Sequence, residues 1–139
     1  MKSIKSVPFN VLEGLVIEDI SGAQEGSEEI IIKTKCGRTF VMSHCQDCCE
    51  SVEVKLIKGD ISKIIGSYKV EKANDKIFDN ETPKGFSSKL NLKHWGSFTY
   101  TIFKIRANQN IVKIVWLGES NGYYGEDVAF EEHIKGIKE

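Results

Sequence analysis

Ser97-Phe98-Thr99-Tyr100-Thr101-Ile102-Phe103-Lys104-Ile105-Arg106-Ala107 and Ile111-Val112-Lys113-Ile114-Val115-Trp116-Leu117, separated by Asn108-Gln109-Asn110, decide the fold class. Both runs are rich in β-branched and aromatic residues, which favour an extended backbone. The polar residues between them suit the turn of an antiparallel hairpin. Apolar side chains fall on both faces of each run, the mark of strands covered on both sides. This hairpin is therefore expected at the centre of a sheet.

Working outward, Glu28 to Lys35 with Ile30-Ile31-Ile32, then Cys36-Gly37, then Arg38 to Ser43 read as another hairpin, with glycine at the tight turn. Ser51 to Lys58 alternates Val52, Val54 and Leu56 with Glu53 and Lys55, the pattern of a half-exposed strand. Asp60 is placed to cap one helical turn over Ile61 to Ile65, ended by Gly66, and Ser67 to Ala73 looks extended. Val11 to Ile20 suggests a short helix followed by a strand. Residues 74 to 96, polar and containing Pro83, read as a long irregular loop. Asp127 to Ile137 suggests an edge strand with a short helical end. The expected fold is a single α+β domain over 1–139, mainly antiparallel sheet with one or two short helices.

Composition narrows the function classes. The chain has 139 residues, enough to bury a core without staples. Nineteen basic residues against 20 acidic ones leave a net charge of −1, so the field that long nucleic acids require is missing. The start Met1-Lys2-Ser3-Ile4-Lys5-Ser6-Val7-Pro8 lacks an apolar leader core, and no run is long enough to cross a bilayer. A cytoplasmic protein with no membrane partner is expected. Three of its four cysteines crowd at 45, 48 and 49, unlike a spaced disulfide framework, and are expected to remain thiols.

That crowding belongs to His44-Cys45-Gln46-Asp47-Cys48-Cys49-Glu50, which permits several readings. Cys45-x-x-Cys48 has the spacing of half a structural zinc site, which Cys36, His44, His94 or His133 would have to complete by converging in space. Cys48 or Cys49 could serve as a nucleophile, with His44 as base and Asp47 as orienter. The cysteines could equally be small core fillers. Alternatively, His44, Gln46, Asp47 and Glu50 form a polar loop that presents hydrogen-bonding groups to a ligand.

A second stretch, Trp116-Leu117-Gly118-Glu119-Ser120-Asn121-Gly122-Tyr123-Tyr124-Gly125-Glu126, combines three glycines, which let backbone approach a bound molecule, with flat rings for stacking. Its plainer reading is a hairpin turn flanked by packed tyrosines. Arginine occurs only at Arg38 and Arg106, and its planar fork can grip phosphate; together with Lys104 and Trp95 these form a third set. A solvated strand face explains Lys104 and Arg106 as well.

His44-x-Gln46-Asp47-Cys48-Cys49-Glu50, Gly59-Asp60, Ile65-Gly66 and Trp116-x-Gly118-x-Ser120-Asn121-Gly122-Tyr123-Tyr124-x-Glu126-x-Val128 together resemble a family of small phage and prophage proteins catalogued as a domain of unknown function. The resemblance spans roughly residues 12 to 130. Where that family tends to carry a Trp-rich strand after the long loop and a serine before the glutamate, this chain has Ser97-Phe98-Thr99-Tyr100 and Gly125. The family name implies no activity. By analogy of size and setting, the resemblance implies a phage protein that sequesters a nucleotide-derived immune signal, of the cyclic ADP-ribose or cyclic dinucleotide class, without catalysis.

In that expectation Tyr123, Tyr124 and Trp95 stack, Ser120, Asn121 and Gly122 offer polar contacts, and Arg38 or Arg106 meets phosphate. His44, Gln46, Asp47 and Glu50 shape the loop or bind sugar hydroxyls. No cofactor, metal or catalytic residue is assigned, and a homo-oligomer in the host cytoplasm is expected. The alternatives are a zinc-stabilised or thiol-containing module, with Cys36, His44, Cys45 and Cys48 as ligands, that inhibits a host protein, and a hydrolase of a nucleotide signal.

Overall fold

A computed structural model describes residues 2–45, 50–83, 97–120 and 125–135. Nine strands run in order: β1 (Lys2–Ser6), β2 (Ile17–Ser21), β3 (Glu29–Thr34), β4 (Thr39–Ser43), β5 (Glu50–Lys58), β6 (Val70–Asp79), β7 (Ser97–Ala107), β8 (Asn110–Ser120) and β9 (Ala129–Lys135). They form a five-stranded sheet, β1-β9-β4-β3-β2, and a four-stranded sheet, β5-β8-β7-β6, with every ladder antiparallel.

The expected α+β class is therefore corrected. Among the described residues the only helical pieces are two 3-10 turns, Phe9–Leu12 and Ile61–Lys63. Val11 to Ile20 was expected to begin with a helix, but it holds the end of the first of these turns, a short connection and β2. Asp60 does cap the second turn, its carboxylate accepting from the Ser62 amide at 3.0 Å and hydroxyl at 2.6 Å. These bonds hold the Asp60 carboxyl below the usual range.

Both anticipated hairpins form. In β7–β8, Ala107 pairs with Asn110, leaving Asn108 and Gln109 as a two-residue turn with φ of 52° and 63°. Two consecutive positive φ values match the turn whose twist suits paired strands, and Asn tolerates them better than most residues. In β3–β4, Gly37 supplies φ 93°. As expected of the first hairpin, β8 and β7 are the inner strands of the four-stranded sheet; their core face is buried, whereas on the other face Tyr100, Val115 and Leu117 are buried and Arg106 and Ile111 are exposed.

Two expectations about element boundaries and placement are corrected. Residues 74–79 belong to β6 and not to the long loop, while 84–96 lie outside the described residues. β9 is no edge strand; it sits between β1 and β4. The expected helical end at 136–137 also lies outside the described residues.

The sheets pack face to face. Ile30, Ile32, Phe40 and Met42 of one meet Val52, Val54, Phe103, Ile105, Ile114 and Trp116 of the other in a single core. Phe9 bridges them, 4.8 Å from the Phe103 ring and 5.0 Å from that of Phe130. Trp116 Nε1–H points at Met42 Sδ across the interface, 3.0 Å away. The outer strands of the four-stranded sheet are also tied to segments of the other half. Val54 of β5 exchanges backbone hydrogen bonds with Gly26 and Ser27, and Val70 of β6 does so with Gly14 and Leu15. These bonds cover each edge at one point, and β6 beyond Val70 remains an edge with a largely polar, exposed sequence.

Candidate functional site

The chain passes from the five-stranded to the four-stranded sheet between β4 and β5, and returns between β8 and β9. β4 neighbours β9 in one sheet, and β5 neighbours β8 in the other. Ser43 pairs with Ala129 and Glu50 with Ser120. The two crossovers, which carry the cysteine and tyrosine motifs, are thus fastened side by side at both ends. Ser97, where β7 begins after the segment containing Trp95, is also register partner of Ser120. The anchors of all three segments lie in one row at one end of the sheet.

His44 clips the crossovers together. Its Nδ1 lies 2.6 Å from the Asp127 carbonyl oxygen and its Nε2 lies 2.9 Å from Glu50 Oε2. A carbonyl can only accept, so Nδ1 carries a proton. Nε2 then either donates as part of an imidazolium or accepts from a protonated Glu50, and the pair is neutral overall in both cases. Both side chains are buried, at 6% and 0% exposure, where an unbalanced charge would be costly.

Glu126 forms the other half. Its carboxylate is buried and receives the hydroxyls of Ser97, Ser120 and Thr99, the last at 2.7 Å. Thr99 also lies 3.2 Å from Asp79, but it has one hydrogen, and the shorter contact with Glu126 takes it. Gly118 makes this possible. A Cβ there would come within 2.7 Å of the Glu126 carbonyl oxygen and 2.8 Å of its Cβ, so only glycine lets the returning chain lie against the sheet. Beside Glu126 opens a cleft of about 440 Å³ lined by Asp79, Ser97, Thr99, Thr101 and Asp127 among others. Rich in carboxylates and hydroxyls, it suits a ligand that offers O–H or N–H donors.

Of the expected site residues, His44, Glu50 and Ser120 meet here. Gln46, Asp47, Trp95, Asn121, Gly122, Tyr123 and Tyr124 lie outside the described residues, as do Cys48 and Cys49. Neither arginine faces this end. Arg38 binds Glu132 through Nε (2.9 Å) and Nη2 (2.8 Å), and Arg106 lies 3.2 Å from Glu71. The Arg38–Glu132 pairing raises the arginine's pKa and lowers that of the carboxyl, both first through the side-chain hydrogen bonds.

Of the alternative zinc set, Cys48 lies outside the described residues. Cys36 and Cys45 lie beyond opposite ends of β4, roughly 13 Å or more apart at about 3.3 Å per residue, whereas ligands of one zinc must all reach within about 2.3 Å of it. Among the described residues no three His, Cys, Asp or Glu gather as metal ligands. A thiol mechanism with His44 as base meets a related obstacle, since both ring nitrogens are already engaged.

Sequence reasoning passed over Glu126, Asp127, Ser97 and Thr99. Ser97 and Thr99 stand in register with the inward residues Phe103 and Ile105 of β7, and polar residues there need a partner; that is the signal that could have found them. Among the described residues no helix is long and apolar enough to cross a membrane.

A family model described as a domain of unknown function, DUF7448, matches residues 10–130. No curated protein and no solved structure matches the chain.

Proposed function

Because this chain belongs to the DUF7448 family, whose description carries no activity, we propose its function from the site alone: it binds a nucleotide-derived signal and holds it unaltered. The ligand class is that of cyclic ADP-ribose or the cyclic dinucleotides, and the setting a phage-encoded homo-oligomer in the host cytoplasm. The observation that carries this reading is the side-by-side fastening of the two crossovers, with Ser43 opposite Ala129 and Glu50 opposite Ser120.

Ribose hydroxyls are donors suited to the cleft beside Glu126, and Tyr123, Tyr124 and Trp95 supply faces for a base. Arg38 and Arg106 are engaged elsewhere, so sugar and base lead recognition and the phosphates face solvent. Micromolar binding requires about 8 kcal/mol. One base–aromatic stack of roughly 1–3 kcal/mol and two or three charge-assisted hydrogen bonds of roughly 1.5–3 kcal/mol each are of that order before ordering costs. The engagement of both His44 nitrogens and the three hydroxyls on Glu126 favour holding over turnover.

The test is incubation of the purified chain with cyclic ADP-ribose or cyclic di-GMP, followed by heat denaturation and chromatography. Intact ligand in the released fraction is expected, with Tyr124→Ala weakening uptake by roughly tenfold, as loss of one stack predicts. Disappearance of the parent nucleotide would make the protein a hydrolase, and no uptake of either probe would defeat the reading.

A further inference from the structure

Register places lysines in a row across the four-stranded sheet. Lys58 of β5 pairs with Lys113 of β8, Lys113 with Lys104 of β7, and Lys104 with Asn74 of β6. Phe103, Ile105, Val112 and Ile114 point into the core, so Lys104 and Lys113, alternating with them, point outward. One residue pair nearer the middle of the sheet, Lys76 is paired with Ile102, and its Nζ lies 5.0 Å from the Phe78 ring centroid. Lys76, Lys104 and Lys113 border a cavity of about 410 Å³ with Phe78 and Ile102 as its apolar floor. Asp75 is the one acidic residue lining it among the described residues.

Two features set this face apart. Like charges directly opposite on neighbouring strands destabilise a sheet, yet Lys104 and Lys113 stand opposite each other on β7 and β8. The chain as a whole carries a net charge of −1, so the cations are gathered here and not spread by an overall excess. Lys113, Lys104 and Lys76 lie on the adjacent strands β8, β7 and β6, about 4.8 Å apart, so they cover roughly 10 Å across the sheet. That span fits several linked phosphates, and a long polyanion would need a wider basic field. The volume falls within the range of small-molecule sites, about 300–1,000 Å³, and its floor is apolar.

We propose that this face is a second ligand site, taking the polyphosphate of a small organic molecule with an aromatic body, the chemistry of a nucleoside di- or triphosphate. Lys104, Lys113 and Lys76 meet the phosphates as point charges, and Phe78 with Ile102 receives the ring. Lys113 and Ser120 are seven residues apart on β8, about 24 Å at 3.4 Å per residue. Phe78 and Ile102 alternate with Ile77, Asp79 and Thr101 of the cleft beside Glu126, and the two cavities share no lining residue, so the site lies on the opposite face of the sheet and stands or falls without the reading above.

The test is calorimetric titration of the full chain with sodium tripolyphosphate and with ATP, at about 50 mM and about 200 mM salt. ATP is expected to bind more tightly than tripolyphosphate, and both to weaken with salt. The double variant K104Q/K113Q should weaken both probes by roughly tenfold or more, with a melting temperature equal to or above that of the parent because the opposed charges are gone. K76Q, a single change at an exposed position, should weaken both to a lesser degree. F78L should weaken ATP and leave tripolyphosphate unchanged, and K33Q, on the other sheet, should alter neither. The proposal is overturned if neither probe binds at low salt, if K33Q weakens binding as much as K104Q/K113Q, or if a single-stranded oligonucleotide binds more tightly than ATP.

Discussion

Gly118 and Gly37 are both glycines for a physical reason, and the reasons differ. At Gly37 a Cβ would meet nothing within 4 Å, but φ is 93°, so Gly37→Ala incurs backbone strain of about 1–2 kcal/mol. At Gly118 the obstacle is the returning chain at Glu126, which can yield only by moving. Gly118→Ala is expected to lower stability by about 1–3 kcal/mol and also to disturb the hydroxyls on Glu126. Urea denaturation measures both losses, and only the Gly118 variant should shift the side-chain resonances of Ser97 and Thr99. Glycines in this stretch suggested close approach by a bound molecule; the close neighbour at Gly118 is the protein's own Glu126. Scarcity drew attention to Arg38 in the same way, and its fork grips Glu132. Residue type told correctly that something close or bidentate happens at each position. It could not tell with what: Glu132 lies 94 residues from Arg38, and Glu126, though only eight residues from Gly118, meets it through the return of the chain against the sheet.

Among the elements, those built from local signals were legible. The β3–β4 and β7–β8 hairpins follow from β-branched runs and their turn residues, and the Asp60 cap from one carboxylate. β6 was hidden because its second half, Asn74-Asp75-Lys76-Ile77-Phe78-Asp79, is an exposed edge whose polar residues imitate a loop. β9 was mistaken for an edge because it carries Glu131, Glu132 and His133, although the sheet accommodates one of these charges by pairing Glu132 with Arg38 at the end of β4. Glu132→Gln should therefore cost about 1–3 kcal/mol near neutral pH. The Glu132 carboxyl is held below its ordinary range, so this contribution is complete above the unfolded carboxyl's pKa. It fades as pH falls through that value toward the lower folded one. Urea midpoints of parent and variant should differ at pH 7 and draw together as pH falls below the ordinary carboxyl range.

For the whole molecule, the sequence read correctly as strand-dominated and wrongly as α+β, since hydrophobic periodicity locates strands without assigning them to one sheet or two. What joins the two sheets is a core in which Trp116 donates to Met42. Met42→Leu keeps the volume but strands a buried N–H, so a loss of about 1–3 kcal/mol is expected where a simple apolar exchange would cost less; Trp116 fluorescence during denaturation measures it. Joining sheets through two neighbouring crossovers also fixes where the candidate site lies, a long-range fact that neither motif encodes alone. The position of β9 has one more consequence. β5 to β8 form a closed sequence block, whereas the five-stranded sheet is assembled from both ends of the chain, and β1 pairs only with β9. During synthesis the four-stranded half can therefore pair as it emerges, while β1 waits for its ladder until β9 has been made. Emergence of β9, and not of any earlier strand, is when the five-stranded sheet gains its first strand.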